Sequence, residues 1–285
     1  MTVAGSGPKV VVVGTPIGNL GDMSDRAREA LSNCDLLACE DTRRTGRLLE
    51  LSGVGSKRLV RLDQHLERRD APKLIERTIR ESLVLGLVSD AGMPGLSDPG
   101  SVLISEAVRA GVDIEVVPGP FAGVVALVAS GLLSGDSRFV FEGFLPRKTG
   151  ERRKRLGELA KEQRLVVIYE SPHRLAEMLT DTTEVMGGNR RVSVSRELTK
   201  MHEETLRGTV SELASHYAES PPKGEVVVVL EGAAPSPEPT EADLLEAYDS
   251  YVNGGATPRD AATAVAEEFG VKVNVVKRLA FAQPR

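Results

Sequence analysis

Lys9 to Asp22 reads KVVVVGTPIGNLGD. Four successive valines leave no polar face, so a strand here must be covered on both sides, as strands of parallel sheets are. The run stops at Gly14 and gives way to Pro16, Gly18 and Gly21, residues that turn a chain. A buried strand ending in a glycine-rich loop suits an open α/β sheet, where the carboxyl ends of neighbouring strands face one crevice and ligands sit there.

The rhythm continues downstream. DMSDRAREALSNCD is predicted to be a helix, with Ser24 or Asp25 as its cap and Ala27, Leu31 and Cys34 at helical spacing. LLAC reads as a strand and EDTRRTGRLLELSG as a helix ending at Gly53. LVRL, LERRDAPKLIERTIRES, LVLGLV, SVLISEAVRAG and DIEVV keep alternating. This predicts an N-terminal α/β domain over residues 1–134 with a mainly parallel sheet. After a short polar hinge near Ser134 to Ser137 the pattern restarts, predicting a second α/β domain over residues 135–233. Its segments are RFVFEGF, a basic helix, RLVVIYES, PHRLAEMLTDTTEVMG, RRVSVSREL, HEETLRGTV and GEVVVVLEG. HEETLRGTV looks extended, so a hairpin with RRVSVSREL is expected, and the second sheet would be mixed.

APSPEPT, Ala234 to Thr240, is a stiff proline-rich linker. Beyond it, residues 240–285 read as a helical appendage. Thr240 with Asp243 resembles a capping box. Thr257 can cap a helix in which Pro258 takes the first position and Asp260 meets the helix dipole. Gly270 ends that helix, and VKVNVVKRLAFAQ forms another. The spacing resembles a helix-turn-helix.

Composition narrows the class. The 285 residues are 41% hydrophobic and 27% charged, ordinary for a soluble globular protein. No stretch approaches the roughly 20 apolar residues of a membrane span, and MTVAGSGPK has no secretory pattern. Cys34 and Cys39 are too few for a disulfide framework and lack metal-site partners, so two reduced thiols in a cytoplasmic protein without a metal are expected. Net charge is -5, which does not suit a protein that coats nucleic acid. Basic residues nevertheless cluster at Arg43-Arg44-Arg47, Lys57-Arg58-Arg61, Arg68-Arg69 and in PRKTGERRKRL, Pro146 to Leu156, and such patches can hold phosphates locally. Aromatic residues make up only 4%, so stacking should not dominate recognition.

Three loops follow strands of the first domain. GTPIGNLGD contributes Pro16 and Gly18; SDAGMPGLSDPG contributes Asp90, Ala91, Gly92, Met93 and Pro94; PGPFAG contributes Pro118, Gly119, Phe121 and Ala122. Glycine lets a backbone approach a ligand and proline holds it rigid, so together they predict a pocket walled largely by main chain. No GxxxxGK[ST] loop is present and no GxGxxG opens a helix at the right place, which disfavours the common nucleotide sites. Asp90 and Asp98, with loop carbonyls, would suit a cationic ligand such as a sulfonium.

TPIGNLGDMS, CEDTRRT, SDAGMPGLSDPG, VPGPFA, ESPHRL and ELTKMHEE together resemble the ribosomal RNA small subunit methyltransferase I family, the 16S rRNA (cytidine-2'-O)-methyltransferase branch of the tetrapyrrole-methylase superfamily. The resemblance runs from Lys9 to Gly232. It implies S-adenosylmethionine in a cleft between two α/β domains, touching also Glu170 and Ser171, and a homodimer. It implies 2'-O-methylation of a cytidine ribose in the decoding region of small-subunit rRNA, free or in the assembled 30S subunit. The helical appendage is similar to one carried by that family. The chain departs from the family at Met93, where threonine is usual, and at Gly95, where a bulky aliphatic residue is usual; Gly95 is expected to loosen the loop.

Such a reaction needs neither metal nor covalent intermediate, only alignment of the 2'-oxygen and removal of its proton. Candidate bases are Glu40 and Asp41 in CEDTRR, Glu170 in ESPHR, and His202 with Glu203 in KMHEE. Arg43, Arg44, Arg147, Lys148, Arg174 and Arg196 are candidates to hold RNA phosphates. Two other functions fit the same residues: methylation of a tetrapyrrole or other small molecule, and a nucleic-acid-binding regulator for which the cofactor is an effector.

Overall fold

In the computed structural model, which describes residues 7–133, 137–234 and 239–282, the valine run forms β1, Lys9–Val13. The expected hinge at 134–136 and the linker residues 235–238 lie outside the described residues. β1 sits between β4 (Val84–Leu87) and β5 (Asp113–Val117), with β2 (Leu36–Cys39) and β3 (Leu59–Arg61) beyond β4; the order is β3-β2-β4-β1-β5, and every pairing is parallel. Val10 and Val12 join a core with Leu74 and Ile75 of α3 (Glu67–Arg80) and Leu103 of α4 (Ser101–Arg109). Val11 and Val13 join the opposite core, with Leu31 of α1 (Asp25–Asn33) and Leu49 of α2 (Thr42–Leu51). Helices on both faces are why β1 needs no polar residue.

Helix α5, Ala122–Ala129, joins the first sheet to the second. The second sheet has the order β6-β7-β10-β8-β9: β6 (Phe139–Phe144), β7 (Leu165–Glu170), β10 (Val226–Leu230), β8 (Arg191–Arg196) and β9 (Glu204–Thr209). Only β6 and β7 pair in parallel, so the sheet is mixed, and β8 with β9 makes the expected hairpin. In β10, Val226, Val228 and Leu230 face a core under α6 (Thr149–Leu159), α7 (Leu175–Met186) and α8 (Val210–Glu219). Val227 and Val229 face the other way, onto Ala126 and Leu127 of α5, Ile17 and Leu198. That second cluster fastens the two sheets together. Helix α8 follows β9 with no loop between them: Thr209 is both the last residue of β9 and the cap of the helix, where it forms a capping box with Glu212.

The chain divides into two compact units, Met1–Ala233 and Ala234–Arg285. The second unit contains α9 (Glu241–Asn253), α10 (Pro258–Phe269) and α11 (Val273–Ala282) around Leu244, Tyr248, Val265 and Val276. Its capping is as the sequence suggests: Thr240 and Asp243 form a reciprocal box, Thr257 caps α10, and Gly270 is left-handed at its end. Each such cap contributes about 1 kcal/mol.

Candidate active site

β4, β1 and β5 are neighbours, so the loops after them emerge side by side at the carboxyl edge. They are interlocked. A Cβ on Gly14 would lie 2.5 Å from the Gly119 amide nitrogen and 2.7 Å from the Met93 sulfur, and a Cβ on Gly119 would lie 2.7 Å from the Gly14 backbone. Only glycine at both positions allows this approach. Thr15 and Gly92 exchange backbone hydrogen bonds of 2.9 and 3.1 Å, and the buried Thr15 hydroxyl donates toward the Ser89 and Gly92 carbonyls. Behind this wall the loop is braced by Glu67: one oxygen of its buried carboxylate accepts the amides of Gly100, Val102 and Leu103 at 2.8–3.1 Å. Gly95, expected to loosen the loop, instead tightens it. Its φ is +83°, and its amide donates to the Pro99 carbonyl at 3.1 Å, closing a turn.

Two cavities open against these loops. The narrower, of about 350 Å³, is lined by Ala91, Gly92, Met93, Leu96, Asp98, Phe121 and Ala122 from the first half, and by Phe144, Tyr169, Glu170, Ser171 and Gly224 to Val227 from the second. The Tyr169 hydroxyl accepts the Gly123 amide at 3.1 Å, pinning the start of α5, and burial pushes the phenol up to about 12. Asp98 faces this cavity. Burial pushes its carboxyl up to about 6, with Glu40, Asp90 and Glu225 adding to the rise and a hydrogen bond to Ser89 opposing it. Glu170 is 2% exposed, and burial raises its pKa too. Its Oε1 accepts the Ser171 amide at 2.7 Å; Oε2 lies 3.3 Å from the Arg174 guanidinium and accepts no hydrogen bond among the described residues.

The wider groove, about 610 Å³, shares Ile17, Ala91 and Glu225 with the first. Pro16, Gly18, Asp41, Asp90, Arg43, Arg44, Arg47 and Lys200 also line it. Here the carboxylates are spoken for. Asp41 caps α2, accepting the Arg43 and Arg44 amides, and the Arg43 guanidinium bound to it holds its pKa at about 2. Asp90 accepts the Asp41 amide at 3.2 Å and pairs with Arg44 at 3.1 Å. Lys200 pairs with Glu197 at 2.8 Å and Glu225 at 3.0 Å.

The remaining expected residues scatter. Pro94, Pro118 and Gly119 line neither cavity: Pro94 is buried behind the wall, Gly119 packs on Gly14, and Pro118 is exposed. Glu40 also lies outside both linings, its pKa raised by burial and by Asp90. His202 is exposed, and Glu203 is exposed with its carboxylate on the Thr199 amide at 2.6 Å, an anchor for that turn. Arg174, expected on RNA, is turned inward: it donates to the Leu145 and Pro146 carbonyls at 3.1 Å and pairs with Glu170. Arg196 pairs with Glu204 at 2.7 Å. Arg147 and Lys148 are exposed, Lys148 beside Glu151 at 3.1 Å. Most of the dense basic segment that follows is neutralised. Arg152 is fully buried between Asp181 and Glu177, Arg153 pairs with Asp181 and Glu184, and Arg155 with Glu142 and Glu158. Sequence reasoning missed Leu96, Phe144, Tyr169, Glu225 and Lys200 as lining residues. Phe144 and Tyr169 adjoin sequence motifs singled out above, a signal that could have found them; Glu225 has none.

A doubly covered parallel sheet, a mixed second sheet and an interlocked three-loop wall between them define a methyltransferase of the tetrapyrrole (corrin/porphyrin) methylase class, and that family matches residues 9–214. The fold is that of uroporphyrin-III C-methyl transferase from Thermus thermophilus, solved with S-adenyl homocysteine: TM-score 0.55 at 17% identity over 78% of this chain and 96% of that one. The ribosomal RNA small subunit methyltransferase I of Synechocystis sp. is 41% identical over 259 residues, 90% of this chain and 91% of its own. That of Xylella fastidiosa is 47% identical over 226 residues, 78% of this chain and 81% of its own. The chain belongs to the ribosomal RNA small subunit methyltransferase I family, and its cofactor is S-adenosylmethionine. The narrow cavity fits that cofactor: main-chain walls admit it closely, and Met93, Phe121 and Tyr169 offer apolar contact.

Proposed function

We propose that this protein transfers the methyl group of S-adenosylmethionine to the 2'-oxygen of a cytidine ribose in the decoding region of small-subunit rRNA. The names of its relatives support the rRNA substrate. The observation that carries the reading is the pair of adjoining cavities, one apolar and one rimmed by Arg43, Arg44, Arg47 and Lys200, which meet at Ile17, Ala91 and Glu225. Arginine forks on the groove match a phosphate backbone, and a ribose held between them reaches the junction.

S-adenosylmethionine supplies an activated methyl when bound. The protein's part is to align the ribose and accept its proton. Orientation alone is worth about 7–11 kcal/mol in well-ordered intramolecular reactions. Asp98 is the proton acceptor in this reading. Its carboxyl faces the cavity and titrates at about 6, so it is ionised near neutrality and still basic. Asp41 at about 2 is too weak a base, and the Glu170 side chain is 0% exposed and paired with Arg174. Glu170 and Ser171 hold the cofactor, and Arg147 and Lys148 extend the phosphate contacts. Val124 and Val128, one turn apart on α5 and 40% and 66% exposed, leave apolar surface for a homodimer, and the setting is cytoplasmic.

The test is to incubate the protein with labelled S-adenosylmethionine and either 30S subunits or naked 16S rRNA lacking the modification, then map the labelled nucleotide. Label on one cytidine 2'-oxygen is expected. Tight cofactor binding with no label in either RNA would sink the reading.

A further inference from the structure

β6 and β7 pair in register as far as Phe141 with Val167, then skip: Gly143 pairs with Ile168 and Phe144 with Tyr169. Glu142 is the extra residue of a bulge. It is held by a two-pronged ion pair to Arg155, at 2.6 and 2.7 Å. Gly143 takes φ +70°, a conformation that favours glycine, and a Cβ there would press on the Ser97 hydroxyl at 3.0 Å.

The bulge changes which way the next side chain points. Strict alternation from Phe141 would send residue 144 to the face covered by α6, α7 and α8. The extra residue moves it to the face of Val167 and Tyr169, which is the cleft face. Bulges beside active sites commonly re-aim a side chain in this way. The Phe144 ring meets Tyr169 edge-on, with centroids 5.7 Å apart, at the end of a chain of aromatic contacts through Phe141 and Phe121. Phe121, Phe141 and Tyr169 are part-buried, whereas Phe144 is 57% exposed at the cavity. Leu96, from the opposite loop, is 48% exposed and lines the same cavity. Arg147 and Lys148 follow three and four residues later, both exposed.

A nucleotide drawn out of a folded RNA into a cleft loses its stacked neighbours, and its base gains from a surface that replaces them. We propose that Phe144 is that surface: its ring stacks on the nucleobase of the target nucleotide, with Leu96 closing from the other side, while Arg147 and Lys148 hold the adjoining phosphates. The proposal rests on the rRNA reading above.

The variants are Phe144→Ala and Phe144→Tyr. The probe is a decoding-region RNA fragment carrying pyrrolocytidine, a fluorescent cytidine analogue, at the position labelled by the wild type. Stacking quenches its emission on binding. Phe144→Ala is expected to lose the quenching and to raise KM for unmodified RNA by roughly 10- to 100-fold, with S-adenosylhomocysteine affinity, measured by calorimetry, unchanged. Phe144→Tyr should restore both RNA readouts. Unchanged quenching and KM in Phe144→Ala would overturn the proposal alone. So would a loss of S-adenosylhomocysteine affinity with RNA KM unchanged, which would assign the ring to the cofactor's adenine. Wild-type protein that methylates no RNA would overturn the functional reading and this proposal with it.

Discussion

The narrow cavity and the wide groove share Ile17, Ala91 and Glu225, yet carboxylates behave in opposite ways on their two sides. In the groove Asp41 is held at about 2, because Arg43 bonds it and water screens it. In the cavity Asp98 rises to about 6, because burial strips its water and Glu40, Asp90 and Glu225 add negative charge around it. Distance along the chain has little to do with this; Asp90 and Asp98 belong to one loop, and of the two only Asp90 pairs with an arginine among the described residues. In the proposed reading the contrast divides the work: ion pairing for an anionic chain, and desolvation for a group that gives and takes a proton.

The most drastic way to break the contrast is to force the wall apart. Gly14→Val places carbon where the Gly119 backbone lies, 2.5 Å away. It should cost about 3 kcal/mol or more and abolish S-adenosylhomocysteine binding; urea unfolding and calorimetry read the two effects. Wild-type values in both would show that the loops are not interlocked.

Asp98→Asn comes next. Activity should fall by about 100-fold or more, and the acid limb of the kcat/KM profile, expected near pH 6 because the ionised carboxyl is the active form, should disappear. The stability effect has a definite sign. With a folded-state pKa above the ordinary 3.8, the contribution of Asp98 is fully present below that value and is lost as pH rises through about 6. The Asn variant should therefore gain stability relative to wild type at pH 8 and not at pH 3. An acid limb that persists in the variant removes Asp98 from the chemistry.

Replacing Arg43, Arg44 and Arg47 together by Ala tests the other side. RNA affinity should drop and the log–log salt slope should shrink by about 2, with cofactor affinity unchanged. An intact slope would take α2 off the RNA path. The smallest effect is expected at Gly95→Ala. The nearest atom to the new Cβ is 3.5 Å away, so only the left-handed φ matters. A loss of about 1–2 kcal/mol, seen in denaturant midpoints with activity retained, would confirm that Gly95 locks the turn; no loss would return it to the role of a loosener.

Much of this is legible in the sequence. KVVVVG announces a doubly covered strand, and the three Gly/Pro loops announce a main-chain wall. HEETLRGTV announces the hairpin, and Thr257-Pro258 announces α10, because each signal is local and periodic. The basic segment after Pro146 misleads for the same reason. Local sequence shows that arginines are dense; it does not show Asp181, Glu177 and Glu142 arriving from other elements to neutralise them. Arg174 misleads in the same manner, since its partners Leu145 and Pro146 lie 29 and 28 residues away.

By itself, then, the sequence determined the elements, their order, the glycines that let the loops touch and the family. Hydrophobic period, caps and turn residues act within a few positions, and a family motif is a string. Tertiary structure alone decided which charges stay free, which carboxyl is desolvated and where Phe144 points. Those depend on distances between segments far apart in the chain and on how much water the packed halves exclude.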